Sequence, residues 1–288
     1  MKDASSNTLA RLDTLVAKKR PSARAFRTVV YSFYRRHGRS FPWRSTRDPY
    51  RIYVSEIMLQ QTQTDRVVPK YRAFIKRFPT WRALANASSS DVMKEWKGLG
   101  YYRRAFNLHR AAKIIVESNR GRLPADTDAI RALPGVGSYT AGAIGAFAFG
   151  IPSPIIETNI RTVFLYTFFQ QRTGVSDREI APLIEETLDR KEPREWYYAL
   201  MDLGSEIKKV RKGINARSKH HVKQSPYHGS NRQVRSMVLK VLAEKRSMSE
   251  PVLARKLRVD KEWLERAVSG LLHEGLVERT RSGALTLR

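Results

Sequence analysis

The 288-residue chain contains no cysteine. That excludes disulfides, thiolate zinc sites, a cysteine nucleophile and a cysteine-ligated iron–sulfur cluster. Acid is scarce as well: 27 Asp and Glu stand against 54 Lys and Arg, a formal net charge of +27. An excess of that size repels itself unless a polyanion offsets it. Nucleic acid is therefore the leading partner and an anionic membrane surface the second, with a solubility adaptation as the plain alternative. No apolar run is long enough to span a bilayer, and Met1 to Arg20 lacks the apolar core of a signal peptide. The expectation is a soluble, intracellular protein, cytoplasmic or nucleoid-associated, with no membrane partner. Strand-like alternation is missing before residue 270.

Helical periodicity takes its place. Within Ala23–Arg36, Phe26, Val29, Val30, Phe33 and Tyr34 share one side. Phe41-Pro42-Trp43 and Asp48-Pro49-Tyr50 read as turns, and residues 52–78 as helical with an interruption at Pro69. Further helices are expected over 88–96, 103–118, 127–133, 138–149, 159–169 and 177–188. Residues 213–230, with Arg217, Lys219, His220, His221 and Lys223 and few large apolar residues, read as a basic linker. Beyond it come three helical segments, 232–244, 249–257 and 261–274, and two short strands, 276–280 and 284–287, around Arg281-Ser282-Gly283. Three helices and a terminal hairpin are the pattern of a winged helix, a module that contacts DNA or docks on protein. The expected organisation is a basic N-terminal segment (1–22), a helical domain (23–212), the linker (213–230) and a winged-helix-like domain (231–288).

Leu133-Pro134-Gly135-Val136-Gly137 sits between two of these helices. Glycine lets a backbone turn tightly and approach a ligand, and the helix that starts near Ser138 points its first N–H groups outward, a natural phosphate site. Four further segments stand in order with it: Phe41-Pro42-Trp43-Arg44, Ser55-Glu56-Ile57-Met58-Leu59-Gln60-Gln61-Thr62, Gly98-Leu99-Gly100-Tyr101-Tyr102 and Met201-Asp202-Leu203-Gly204. Together, over roughly residues 23–209, they resemble the MutY-type adenine DNA glycosylases of the helix-hairpin-helix superfamily.

The resemblance implies an all-α, two-lobed helix-hairpin-helix glycosylase fold, here followed by the winged-helix-like domain. It implies a monomer acting on double-stranded DNA with a mismatch or lesion, whose target base is flipped out of the stack. Leu133, Gly135, Val136, Gly137, Ser138 and Thr140 then belong to the DNA-binding hairpin. One of Gln60 and Gln61 fills the gap left by the flipped base or reads the opposite base. Arg44 touches the target base, and Tyr101 and Tyr102 line the pocket or groove.

Cleaving an N-glycosidic bond puts positive charge on the sugar and negative charge on the leaving base. Two carboxyl groups in different environments serve that chemistry: a protonated acid for the purine and an ionised one for the oxocarbenium-like sugar. Glu56, on an otherwise apolar helix where burial raises a carboxyl pKa, matches the family's acid. Glu157 stands where the family carries a catalytic aspartate, one methylene longer, and Asn159 matches a positioning residue. Tyr139 stands where strand-cleaving relatives carry a Schiff-base lysine, so a monofunctional enzyme without lyase activity is expected. Lys208 occupies the place of the first of the family's cluster cysteines, and none follows. No metal site and no cofactor are expected, with room only for a monovalent cation at the hairpin. Two other readings stay open: a glycosylase for uracil, mismatched thymine or another damaged base, and a non-enzymatic DNA-binding protein on a degenerate glycosylase scaffold.

Overall fold

The computed structural model describes Ala10, residues 12–14, 21–222 and 226–288. The expected N-terminal segment lies almost wholly outside the described residues, as do residues 223–225 of the expected linker. In chain order the helices are α1 (Ala23–His37), α2 (Pro49–Leu59), α3 (Thr64–Arg77), α4 (Trp81–Ala85), α5 (Ser89–Glu95), α6 (Arg103–Asn119), α7 (Thr127–Arg131), α8 (Ser138–Ile144), α9 (Thr158–Phe168), α10 (Asp177–Thr187), α11 (Pro193–Val210) and α12 (Asn231–Lys245). Strand β1 (Ser247–Met248), α13 (Glu250–Leu257), α14 (Lys261–His273), β2 (Val277–Arg279) and β3 (Leu285–Leu287) complete the chain. Several helices start where a hydroxyl caps the first turn: Ser22 accepts from the Ala25 amide (3.3 Å), Thr80 from Ala83 (3.1 Å) and Ser88 from Asp91 (3.1 Å).

Three expectations change. The helix over 52–78 breaks at Gln60–Gln63 rather than at Pro69, which lies inside α3. Gln61 takes a φ of 55°, a left-handed conformation that ends the helix, whereas Pro69 lies near the start of α3, where few backbone bonds precede it. Asp48-Pro49-Tyr50 opens α2 instead of forming a free turn: proline suits the first helical position, and the Asp48 carboxylate accepts from the Tyr50 amide (2.9 Å). Helix α11, which periodicity did not single out, spans 18 residues.

The chain divides into two compact units, one of residues 1–52, 125–131 and 136–223, the other of 53–124, 132–135 and 224–288. These units do not follow the boundaries read from the sequence. The helical domain is shared between both, and the C-terminal segment belongs to the second.

In the first unit α11 packs on α1 and α9 around Phe26, Phe164, Trp196, Leu200 and Leu203. Phe26 meets Phe164 and Trp196 edge-on at 5.6 and 5.8 Å. One carboxylate ties α11 to the segment after α1. Asp202, 3 % exposed, accepts from the Arg39 amide and Nε (2.7 Å each) and from both terminal nitrogens of Arg44 (2.8 and 2.9 Å). Residues 213–222, expected as linker, pack here too. Ile214 is buried, Thr162 Oγ1 donates to Asn215 Oδ1 (2.6 Å), and Val175 bridges to Arg217 and Lys219 through backbone bonds of 3.0 and 2.9 Å.

In the second unit α4 and α5 pack on α6, and Phe74 meets Trp96 at 6.0 Å. The C-terminal segment forms the expected three helices. Its sheet has three antiparallel strands in the order β1-β3-β2, one more than the sequence pattern indicated, because β1 is too short to show alternation. Helix α12 lies against α5: Ser90 Oγ donates to the Ala243 carbonyl (2.7 Å), and Lys97 pairs with Glu244 (3.0 Å). No strand precedes residue 247 among the described residues. None of the described helices is long and apolar enough to cross a membrane.

Removing Asp202 would leave the buried Arg44 guanidinium without its carboxylate. Asp202→Ala is expected to cost about 3–5 kcal/mol, read from the urea midpoint. A loss below about 1 kcal/mol would show the pair to be solvated.

Candidate active site

Helix α2 carries Glu56 among Tyr53, Val54, Ile57 and Met58, all buried, and Glu56 itself is 5 % exposed. The carboxyl is thus held away from bulk water, as the apolar helix led one to expect. Just past it, Gln60 Nε2 donates to the Gly135 carbonyl (3.3 Å), and Gln61 is exposed at its left-handed backbone position.

One buried side chain shapes this corner. Arg104, 8 % exposed, donates from Nη1 to the carbonyls of Ile57 (3.0 Å), Met58 (2.8 Å) and Gln60 (2.5 Å). Its Nη2 reaches Thr62 Oγ1 (3.0 Å) and the carbonyls of Leu99 and Gly100 (3.2 Å each). The fork therefore satisfies the open carbonyl end of α2 and sews it to the Gly98–Gly100 loop. Desolvation lowers its pKa to about 10, so it stays charged at neutral pH. The sequence reading missed Arg104, since a basic residue on a helix of a basic chain carries no local mark. The Gly98–Tyr101 loop itself is tight: Gly98, Gly100 and Tyr101 all have positive φ (96°, 71° and 46°), while Leu99 is buried as its peg.

In the hairpin Gly135 has a φ of 77°, and a Cβ there would lie 2.6 Å from Asn107 Nδ2, so only glycine fits. Gly135, Gly137 and Ser138 are exposed, as phosphate contact requires. Leu133, Val136 and Thr140 are buried and anchor the turn; as side chains they are not surface contacts. Tyr102 is also buried and its hydroxyl bonds Ser236, yet together with Tyr101, 39 % exposed, it lines a cleft of the second unit. Arg44, expected at the target base, is taken up by Asp202 and by the face of Tyr198, 4.4 Å from the guanidinium.

In the first unit Glu157 caps α9. Its Oε1 accepts from the amides of Asn159 (2.6 Å) and Ile160 (2.9 Å), and its Oε2 from Asn159 Nδ2 (3.2 Å). Asn159 thus orients the carboxylate. Burial pushes the Glu157 pKa above the ordinary carboxylate value, against the downward pull of the two amides and of the Lys208 charge. Tyr139, half-buried, packs on the same core. A glycine sets the position of this cap: a Cβ on Gly204 would stand 2.0 Å from the Asn159 carbonyl oxygen, so α11 approaches α9 only because Gly204 has no side chain.

The HhH-GPD superfamily base excision DNA repair protein profile matches residues 54–189. Adenine DNA glycosylase of Mycobacterium tuberculosis is 34 % identical over 286 residues, covering 90 % of this chain and 92 % of that protein. The chain belongs to the HhH-GPD superfamily. Among its relatives, the human adenine DNA glycosylase is 33 % identical over 195 residues, which are 64 % of this chain and 36 % of the human one. A solved thermostable thymine-DNA glycosylase superposes with a TM-score of 0.59 at 28 % identity, over 67 % of this chain and 93 % of that one. An endonuclease III–DNA complex at 18 % identity, with a TM-score of 0.52 over 78 % of this chain and 98 % of that one, shares the fold.

The iron–sulfur cluster implied by the MutY-type resemblance does not fit this HhH-GPD member. Its sequence offers no thiolate. The segment after α11 is closed instead by the Ile214 plug, the Thr162–Asn215 bond and the Val175 bridge, together with an Arg217 Nε bond to the Arg172 carbonyl (3.0 Å).

Two substitutions test the Glu157 geometry. Gly204→Ala forces α9 and α11 apart and is expected to cost about 2–3 kcal/mol in chemical denaturation, with a larger loss of activity than of binding. Glu157→Gln removes a carboxylate whose ionisation is disfavoured in the folded state. A raised folded pKa means that ionisation costs stability as pH rises above the unfolded value. The variant's melting temperature should therefore gain on the parent between acid and neutral pH, while its activity falls. A gain in the opposite direction would mean that the capping amides outweigh burial.

Proposed function

We propose that the protein is a monofunctional DNA glycosylase of base excision repair that releases adenine from mispaired DNA. The observation that carries the reading is Glu56, a carboxyl buried on the apolar α2 within the Ser55–Thr62 segment. A purine leaves readily once protonated, and a buried carboxyl is the group that can hold a proton for it near neutral pH. Glu157, fixed by two amides and Asn159, supplies negative charge for the oxocarbenium-like sugar. Tyr139 has no amine with which to form a Schiff base, so the product is an intact strand with an abasic site. The net charge of +27 and the glycine hairpin support duplex DNA as the substrate. The identity to adenine DNA glycosylases over nine-tenths of the chain supports adenine as the base.

A second reading has one observation behind it: the superposable thymine-DNA glycosylase raises a mismatched pyrimidine as the target. Incubation with A:8-oxoguanine, A:G, U:G and T:G duplexes, followed by alkali, distinguishes the two. Breaks at adenine are expected only after alkali. Breaks confined to U:G or T:G would move the assignment to pyrimidines, and nicking without alkali would contradict the role given to Tyr139. Tight binding with no breaks on any duplex would leave a DNA-binding scaffold. Glu56→Gln should reduce adenine release by at least about 100-fold while duplex binding persists.

A further inference from the structure

The second unit contains a cleft of about 1000 Å³ that the chemistry above does not use. One wall is Gln60, Gln61 and the loop that runs from Gly98 to Arg104; the other is Tyr227 and the first turns of α12. The C-terminal segment thus builds half of it. The two walls are bonded to each other: Arg232 Nη1 donates to the Tyr101 hydroxyl (3.3 Å), and the Tyr102 hydroxyl bonds Ser236.

The chemistry of the lining is one-sided. Arg66 and Arg103 are exposed and Arg232 half-buried, while the lining's acid, Glu274, is neutralised by Arg235 through bonds of 2.8 and 2.6 Å. Two tyrosines line it partly exposed, Tyr101 at 39 %, with the Arg104 guanidinium 5.6 Å from its ring, and Tyr227 at 48 %. Gln61 and Tyr101, both non-glycine residues, hold left-handed backbone there, a strain that folded chains concentrate at working surfaces. Arginines beside partly exposed aromatic rings are the recognition chemistry of an unstacked nucleotide: charge for the phosphate, a ring for the base. The helix that a winged helix ordinarily lays in a DNA groove is less suited. α14 exposes Glu262 and Glu265 against Lys261 and Arg266, and Lys261 is paired with Glu265, so that part of its face carries no net positive charge for phosphate.

We propose that this cleft binds one nucleotide of the DNA substrate that has left its base stack, with Arg66, Arg103 and Arg232 on the phosphate and Tyr101 and Tyr227 against the base. The C-terminal domain then acts through the start of its first helix, not through α14. The inference rests on the reading of DNA as substrate.

The test uses the full chain carrying Glu56→Gln, so that bound substrate stays intact, and duplexes with 2-aminopurine placed singly at the position opposite the adenine and at its neighbours on each strand. On binding, the emission at one position should change, which also identifies the strand. That change should survive Tyr227→Phe and be lost in Tyr227→Ala. Arg232→Ala should lower the slope of log affinity against log salt by about one. Matched thermal unfolding confirms that the variants are folded. An unaltered emission change in Tyr227→Ala, or an unaltered salt slope in Arg232→Ala, would overturn the proposal. So would loss of the signal to free deoxyguanosine monophosphate at concentrations comparable to the duplex, which would make the cleft a free-nucleotide site. Adenine release by the parent chain is scored separately. Its failure would sink the proposed function and leave these binding measurements readable.

Discussion

A helix that ends in the interior leaves carbonyls facing nothing, and each unsatisfied one costs about 1–3 kcal/mol. Helix α2 ends in this way, three residues after Glu56, and the Arg104 guanidinium answers the problem by gathering the carbonyls of Ile57, Met58 and Gln60. The same fork reaches the carbonyls of Leu99 and Gly100. A single planar cation therefore fixes where α2 stops, where Gln60 and Gln61 emerge and how the glycine loop closes. The exposed Tyr101 and the cleft behind it follow from that closure. Lysine, with a point charge and no fork, could not serve six acceptors in this geometry.

The first unit solves a different problem, holding a carboxylate partly out of water without letting it drift. Two backbone amides at the start of α9 and the Asn159 side chain give Glu157 a defined direction. Gly204 lets α11 close on the same turn until no side chain would fit. The cap is also set against its surroundings, because burial disfavours its charge while the capping amides favour it.

The C-terminal segment is no appendage on a tether. Its first helix packs on α5, and its chain end is bonded there as well, Ser89 Oγ to the Arg288 carbonyl at 2.6 Å. The basic stretch ahead of it is divided in the same spirit: residues 213–222 close the segment after α11 with protein contacts.

By itself the sequence determined the helical class, the places of most helices, the two candidate carboxylates and the glycine turn. These depend on local periodicity, capping residues and backbone freedom, and each leaves its mark within a few positions. It also determined the absence of thiolate ligands, which is a matter of composition. Tertiary structure alone decided which motif residues face outward. Arg44 and Tyr102 belong to recognisable motifs yet are spent on Asp202 and Ser236, partners more than 130 positions away. It alone decided the role of Arg104, whose acceptors come from two separate segments, and the cleft, whose walls meet across a similar distance in sequence. Pairings of that range depend on packing, and no local pattern of residues encodes them.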